Sequence, residues 1–320
     1  MRILLWHVHG SWTTSFVQGS HDYLLPITAD RGPDGRGRAC TWDWPQSVRN
    51  VAVEDLRSCD FAVVLLQRPR ELELVQSWKG RRPGVDIGAI YVEHNTPGGA
   101  FPSTRHALAD QSGIPIAHVT AFNELFWDCG AARTTVIDHG IIDPGQRYTG
   151  EIPHAAIAVN DPVRRGRAVG SDLLPALSAA APLDVFGMGV SGLGESLSLG
   201  AERLRCFEDL PQHELHTELA RRRVYLHTSR WTSLGLSLLE AMHLGMPVVA
   251  VATTEAVMAV PSDAGVVSTR VDDLAGAVTR FLEEPELAHA AGRRARQSAL
   301  ARYGLKRFLA DWDELLSSTT

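Results

Sequence analysis

The chain has 320 residues, of which 44% are hydrophobic and 21% charged, and its formal net charge is −6. This is an ordinary globular composition, long enough for two domains that each build a core. The negative balance argues against a nucleic-acid-binding surface but still allows a local basic patch that holds a phosphate.

The N-terminus, MRILLWHVHG, has one basic residue and a short apolar run, without the longer apolar core and small-residue cleavage site of a secretion signal. No segment approaches the roughly 18 apolar residues of a membrane span. A cytoplasmic protein is expected, and the Ala, Arg and Gly content suggests a GC-rich bacterial source. In chain order, short apolar runs at 3–6, 61–66, 87–92, 116–119 and 135–137 read as buried strands of a parallel sheet. Residues 71–79 fit a crossover helix, and the Gly-, Asp- and Arg-rich stretch 30–38 reads as a surface loop. Residues 144–153 read as a linker, which sets domains at 1–145 and 146–320, with the last helix able to pack back on the first domain.

Strand–helix alternation then restarts. Strands are expected at 155–159, 183–186, 204–207, 224–227 and 248–252. Helices are expected at 172–180, 212–222, 236–244, 271–282 and 286–303. Repeated β-α units of this kind imply two open α/β sheets with right-handed crossovers. Ligands of such sheets bind beyond the carboxyl ends of the strands.

Cys40, Cys59, Cys129 and Cys206 contain no Cys-x-x-Cys pair, so they read as reduced thiols rather than a zinc or redox motif. His7 and His9 would share one face if the first strand continued through them, but no third ligand accompanies them, and no metal site is expected.

The densest chemistry lies in YLHTSRWTSLGLSLLEAMHLGMPVVAVA, residues 225–252. A strand ends near His227, a loop spans 232–235, and Gly245 and Pro247 stop the helix that follows. A strand–loop–helix turn aims backbone N–H groups and the positive end of a helix at one place, which suits a diphosphate. Glu240 stands on an otherwise apolar helix, where a carboxylate can accept from two ribose hydroxyls or simply face solvent.

Ser229, Gly235, Glu240, Ala241, Met242, Gly245, Pro247, Val248 and Val249 resemble the donor-binding signature of the family 4 glycosyltransferases. The resemblance implies a GT-B fold: two facing Rossmann-like domains with an interdomain cleft. It implies a retaining, metal-independent transfer from a nucleotide-diphospho-sugar, of UDP or GDP type, to a small-molecule acceptor. No separate cofactor is implied, and the composition suggests a natural-product pathway. Glu240 takes the position of the family's ribose-binding Glu, while Thr232 replaces the Glu that contacts the transferred sugar. Thr232, Ser233, Leu234, Gly235 and Leu236 form the expected donor loop.

Weaker matches extend the site. Arg165 with Gly166 resembles the family's diphosphate-binding Lys-Gly; Arg164 offers a second cation, and Asn160 sits near the usual Arg. Arg keeps the phosphate chemistry through its bidentate fork. Gly187 and Gly189 would permit close backbone approach to the nucleotide, and residues 207–210 occupy the region that often binds the base edge. His94 resembles an active-site His facing the transferred sugar. Gly10 fits the first loop near the donor, and Ser11 and Trp12 are expected to touch the acceptor. Two other functions share this pattern: a nucleotide-sugar epimerase or hydrolase of the same fold, and a non-catalytic donor-binding partner protein suggested by Thr232.

Overall fold

A computed structural model of the chain describes residues 1–39, 41–98 and 104–319. It contains two compact units: Met1–Gly140 together with the segment from Leu305 onward, and Ile141–Gly304.

The first unit is built on a seven-stranded, all-parallel sheet. Its strands are β1 (Arg2–Leu5), β2 (Asp22–Ile27), β3 (Val48–Ala52), β4 (Val63–Leu66), β5 (Gly88–Glu93), β6 (Ile116–His118) and β7 (Thr134–Val136), ordered β3-β2-β1-β4-β5-β6-β7. Helices α1 (Gly10–Phe16), α2 (Arg70–Lys79) and α3 (Ala121–Phe126) follow strands β1, β4 and β6. The central strands are apolar along their whole length because both faces are covered: Val63, Val64, Leu65 and Leu66 are all buried. The C-terminal helix Leu305–Ser317 belongs to this unit, where Trp312 packs edge-on against Trp12 and Phe16 at ring distances of 5.6 and 5.2 Å.

The second unit carries a six-stranded parallel sheet ordered β10-β9-β8-β11-β12-β13. Its strands are β8 (Ile152–Ala158), β9 (Leu183–Gly187), β10 (Leu204–Glu208), β11 (Arg222–His227), β12 (Val248–Val251) and β13 (Gly265–Ser268). Its helices are α4 (Pro162–Arg165), α5 (Leu174–Leu177), α6 (Leu193–Leu197), α7 (Gln212–Arg221), α8 (Leu236–Leu244), α9 (Ala256–Ala259), α10 (Val271–Glu283) and α11 (Pro285–Tyr303). Alternate residues of β11 feed two cores. Tyr225 joins Leu238, Met242 and Ala295 on one face, and Val224 and Leu226 join Leu174, Val278 and Phe281 on the other. Near the amino ends of these strands, fully buried Asp184 accepts from Arg222 Nε at 2.8 Å and Arg205 Nε at 2.9 Å.

Several expectations are corrected. The boundary falls at Gly140–Ile141, ahead of 145–146, because Ile141 N–H donates to Tyr303 O at 2.9 Å within the second unit. The stretch read as a linker is packed there too: Arg147 and Tyr148 N–H both donate to Leu244 O at 3.1 Å. Strands β2, β3 and β13 were not expected, and residues 172–180 form only a 3-10 turn and the one-turn helix α5. Strand β1 stops at Leu5, so His7 and His9 lie beyond it and strand alternation does not align them. Cys59, Cys129 and Cys206 are free thiols; Cys40 lies outside the described residues.

Candidate functional site: the carboxyl edge of the second sheet

The order of the second sheet reverses direction between β8 and β11, so the loops after these two strands flank the topological switch point where open α/β sheets bind ligands. Hydrogen bonds tie the two loops together. Thr228 Oγ1 donates to Val169 O at 2.7 Å, and Arg230 and Trp231 N–H donate to Ala168 O at 2.8 and 3.1 Å. Arg230 also pairs with Asp172.

The loop after β8 holds the expected cations in different states. Arg164 is 74% exposed and its guanidinium is paired with Asp161 Oδ2 at 2.6 Å. Arg165 is half-buried and makes no ion pair among the described residues; its side chain donates from Nη1 to Asn160 O at 3.4 Å. Burial, and then the Arg164 charge, pull the Arg165 pKa below its ordinary value. A cation that is partly desolvated and lacks a counter-ion has an environment that favours an incoming anion.

Asn160 is exposed. Its Oδ1 accepts from Met188 N–H at 3.0 Å and so locks the β8 loop to the β9 loop. Gly187 has φ +141°, and a β-carbon there would lie 2.2 Å from Val159 O, so the tight seam between the loops requires glycine. Gly189 also has positive φ, at +66°. Glu208, at the end of β10, accepts from Val190 and Ser191 N–H at 3.0 and 2.9 Å and from Ser191 Oγ at 2.7 Å. These bonds from Ser191, then from Gly189 and Val190, hold its carboxyl below the usual range. The region expected at a base edge thus spends its carboxylate on shaping the β9 loop.

In the loop after β11, Thr232 is half-buried, Ser233 is buried, and Leu234 and Leu236 turn their side chains toward the core. The two leucines can serve a ligand only through their backbone. Gly235 is the N-cap residue of α8. One turn further, Glu240 is 7% exposed and turned toward α7, where its Oε1 accepts from Gln212 Nε2 at 3.2 Å and its Oε2 lies 3.5 Å from His216 Nε2. The solvent-facing alternative for Glu240 is therefore corrected: the carboxylate is buried, with polar neighbours on α7.

The remaining expected residues lie in the first unit. His94 follows β5, packs at a 36° tilt against His9 at a ring distance of 4.0 Å and leaves Nε2 buried without a partner. Burial, then the nearby His9 and His139, push its pKa well below the ordinary value, so the imidazole is neutral. Gly10 and Ser11 are the first residues of α1 rather than a loop. Trp12 is 1% exposed and packs against Phe16, Trp312 and His94, which makes its indole part of the aromatic core rather than an open acceptor surface. Among the described residues no group of three or more His, Cys, Asp or Glu side chains is placed to hold a metal ion.

Two residues of this region carried no warning in the motif: Asp161, whose left-handed backbone starts α4, and His227, whose ring lies beneath the α8 N-terminus. The left-handed Asp161 was legible only as an Asn-Asp-Pro turn signal.

Residues 195–298, within this second unit, match the model of the family described as glycosyl transferases group 1. No curated protein matches the chain significantly. Among solved structures, sucrose-phosphate synthase from Thermosynechococcus elongatus is 14% identical with a TM-score of 0.76, over 99% of this chain and 98% of that one. HepE from Anabaena, in complex with UDP, is 17% identical with a TM-score of 0.72, over 99% and 100% of the two chains. A glycosyltransferase from Rickettsia africae is 12% identical with a TM-score of 0.68, over 99% and 98%. The fold is thus GT-B, with two Rossmann-like units of parallel strands and alternating helices. No helix among the described residues is long and apolar enough to cross a membrane.

Proposed function

We propose that the protein is a glycosyltransferase of the family 4 type, which takes a sugar from a UDP- or GDP-sugar and transfers it, with retention and without a metal, to a small-molecule acceptor. The observation that carries this reading is Arg165: a half-buried cation without a counter-ion, in a loop tied by hydrogen bonds to the loop that opens α8. The family match over 195–298 supports it, and so does the likeness in fold to HepE, a protein solved with UDP-glucose.

In this reading the diphosphate lies against the first N–H groups of α8, with Arg165 beside it and Arg164 nearer the solvent. Glu240 accepts the ribose hydroxyls. Negative charge grows on the departing nucleoside diphosphate during transfer, and a fixed cation and helix dipole stabilise it more in the transition state than in the bound donor. Metal is dispensable when cationic side chains and backbone donors meet that charge. In the first unit, neutral His94 serves the transferred sugar, Gly10 the donor and Ser11 the acceptor.

The test is incubation with UDP- and GDP-sugars, with and without a panel of small hydroxylated acceptors and with a chelator present. Nucleoside diphosphate released only with an acceptor, and unaffected by chelation, is expected. Release into water alone would indicate a hydrolase, and an isomerised donor an epimerase. Tight nucleotide binding without turnover would favour a partner protein, a reading motivated by Thr232. Loss of activity on chelation, restored by magnesium, would overturn the metal-free mechanism.

A further inference from the structure

His227 is the last residue of β11 and is 5% exposed, yet its imidazole makes no hydrogen bond or ion pair among the described residues. Burial alone lowers its pKa to about 4, so at neutral pH the ring is uncharged and carries one N–H donor. An apolar side chain would be the ordinary choice at the end of a strand buried on both faces.

The position of the ring is set by its strand. Tyr225 and His227 alternate onto the same face of β11. Tyr225 OH donates to Ser237 Oγ at 2.9 Å, and Ser237 Oγ donates to Ala158 O at 3.2 Å, which fixes the first turn of α8 over β8 and β11. One step closer to the carboxyl edge, the His227 ring lies directly against Gly235, the N-cap of α8. A β-carbon at 235 would be 2.5 Å from ring Cε1, 3.3 Å from Nε2 and 3.4 Å from Nδ1. Gly235 has φ −70°, which any residue adopts, so it is the imidazole and not backbone strain that reserves this place for glycine. The nine-residue helix α8 presents its unpaired N–H groups at the same point.

We propose that His227 is a donor-binding residue, which gives its ring N–H to the diphosphate at the N-terminus of α8. The inference rests on the nucleotide-sugar reading of this site and adds to it a side-chain donor that supplements the backbone. A neutral ring meets the bound diphosphate through one directed hydrogen bond and leaves the charge to Arg165. The unpaired polarity of the free protein is then satisfied in the complex.

Calorimetric titration of the parent, His227→Phe and His227→Leu with UDP, GDP and inorganic pyrophosphate tests this. Phe keeps a planar ring and loses the N–H. Both variants are expected to stay folded and to melt near the parent temperature, since neither substitution removes a hydrogen bond within the protein. They should bind the parent's preferred nucleoside diphosphate, and pyrophosphate, about tenfold more weakly or worse. If His227→Phe disturbs the fold, as circular dichroism would reveal, His227→Leu is read by the same criterion. Parent-like affinity in a folded variant overturns the role of His227 and leaves the donor site standing. A parent that binds none of the three ligands overturns the donor site and this inference together.

Discussion

Gly235 and His227 occupy one another's space: the glycine leaves room for the imidazole, and the imidazole closes the room to any other residue. Gly235→Ala should therefore destabilise the protein by about 1–3 kcal/mol, the usual range for overpacking a filled site. The double variant Gly235→Ala/His227→Ala should recover part of that loss. Denaturant melts of the four proteins give the coupling, and additive effects would show that the two side chains are independent.

Glu240 discriminates between ribose and structural roles by its response to the sugar. If the carboxylate accepts ribose hydroxyls, the parent should bind UDP or GDP more tightly than the 2′,3′-dideoxy analogue by about 1.5–3 kcal/mol. Glu240→Ala should erase that preference. A preference that survives the substitution would assign Glu240 to the α7–α8 contact with Gln212 and His216.

The two neighbouring arginines should differ. Arg164 is exposed and already paired with Asp161, whereas Arg165 is half-buried and makes no ion pair among the described residues. Arg165→Ala should slow single-turnover transfer at saturating donor and weaken donor binding, with Arg165→Lys milder because it keeps a point charge. Arg164→Ala should do less. Equal transfer rates in the parent and a folded double alanine variant would show that neither contributes to the chemistry.

Acid should unfold this protein through its histidines. Burial lowers His118, His139 and His227 to about 4 and His94 well below its ordinary value. Each is neutral when folded and titrates near 6.5 when unfolded, so the unfolded chain binds more protons between those values. Stability is fully present above about pH 6.5 and falls as pH drops toward 4, by up to about 1.4 kcal/mol per pH unit for each such histidine. Urea midpoints at pH 7.5, 6, 5 and 4.5 measure this. His227→Phe should flatten the slope, and a midpoint independent of pH across the window would contradict the neutral, buried state of these rings.

The sequence made the second sheet readable where strands are buried on both faces. Residues 224–227 and 248–252 stand out as apolar runs, and α8 matches its expected span because Gly235 and Gly245 bracket it. The missed strands depart from that pattern. β2 contains Pro26, β3 carries Arg49 and Asn50 at the sheet edge, and β13 is only four residues of half-buried edge. Arg165 was legible as a cation beside a glycine, but its missing counter-ion depends on Arg164 having captured Asp161, a choice of side-chain partner that no motif encodes. His227 was invisible for a similar reason. In the sequence it is a lone histidine at the end of a strand, and only the packing against Gly235 gives it an address.

The first unit is discontinuous in sequence, since its final helix is made only after the whole of residues 141–304. On the ribosome, the second unit emerges complete and can gather its core while the first still lacks Trp312 and Phe308. Until the Phe308 and Trp312 rings arrive, Trp12 and Phe16 have no lid from that helix, and a polypeptide stalled or clipped before residue 305 exposes a greasy patch to chaperones and proteases. Synthesis order thus makes the helix Leu305–Ser317 a late closing step: the first unit completes its core only after the second has been made.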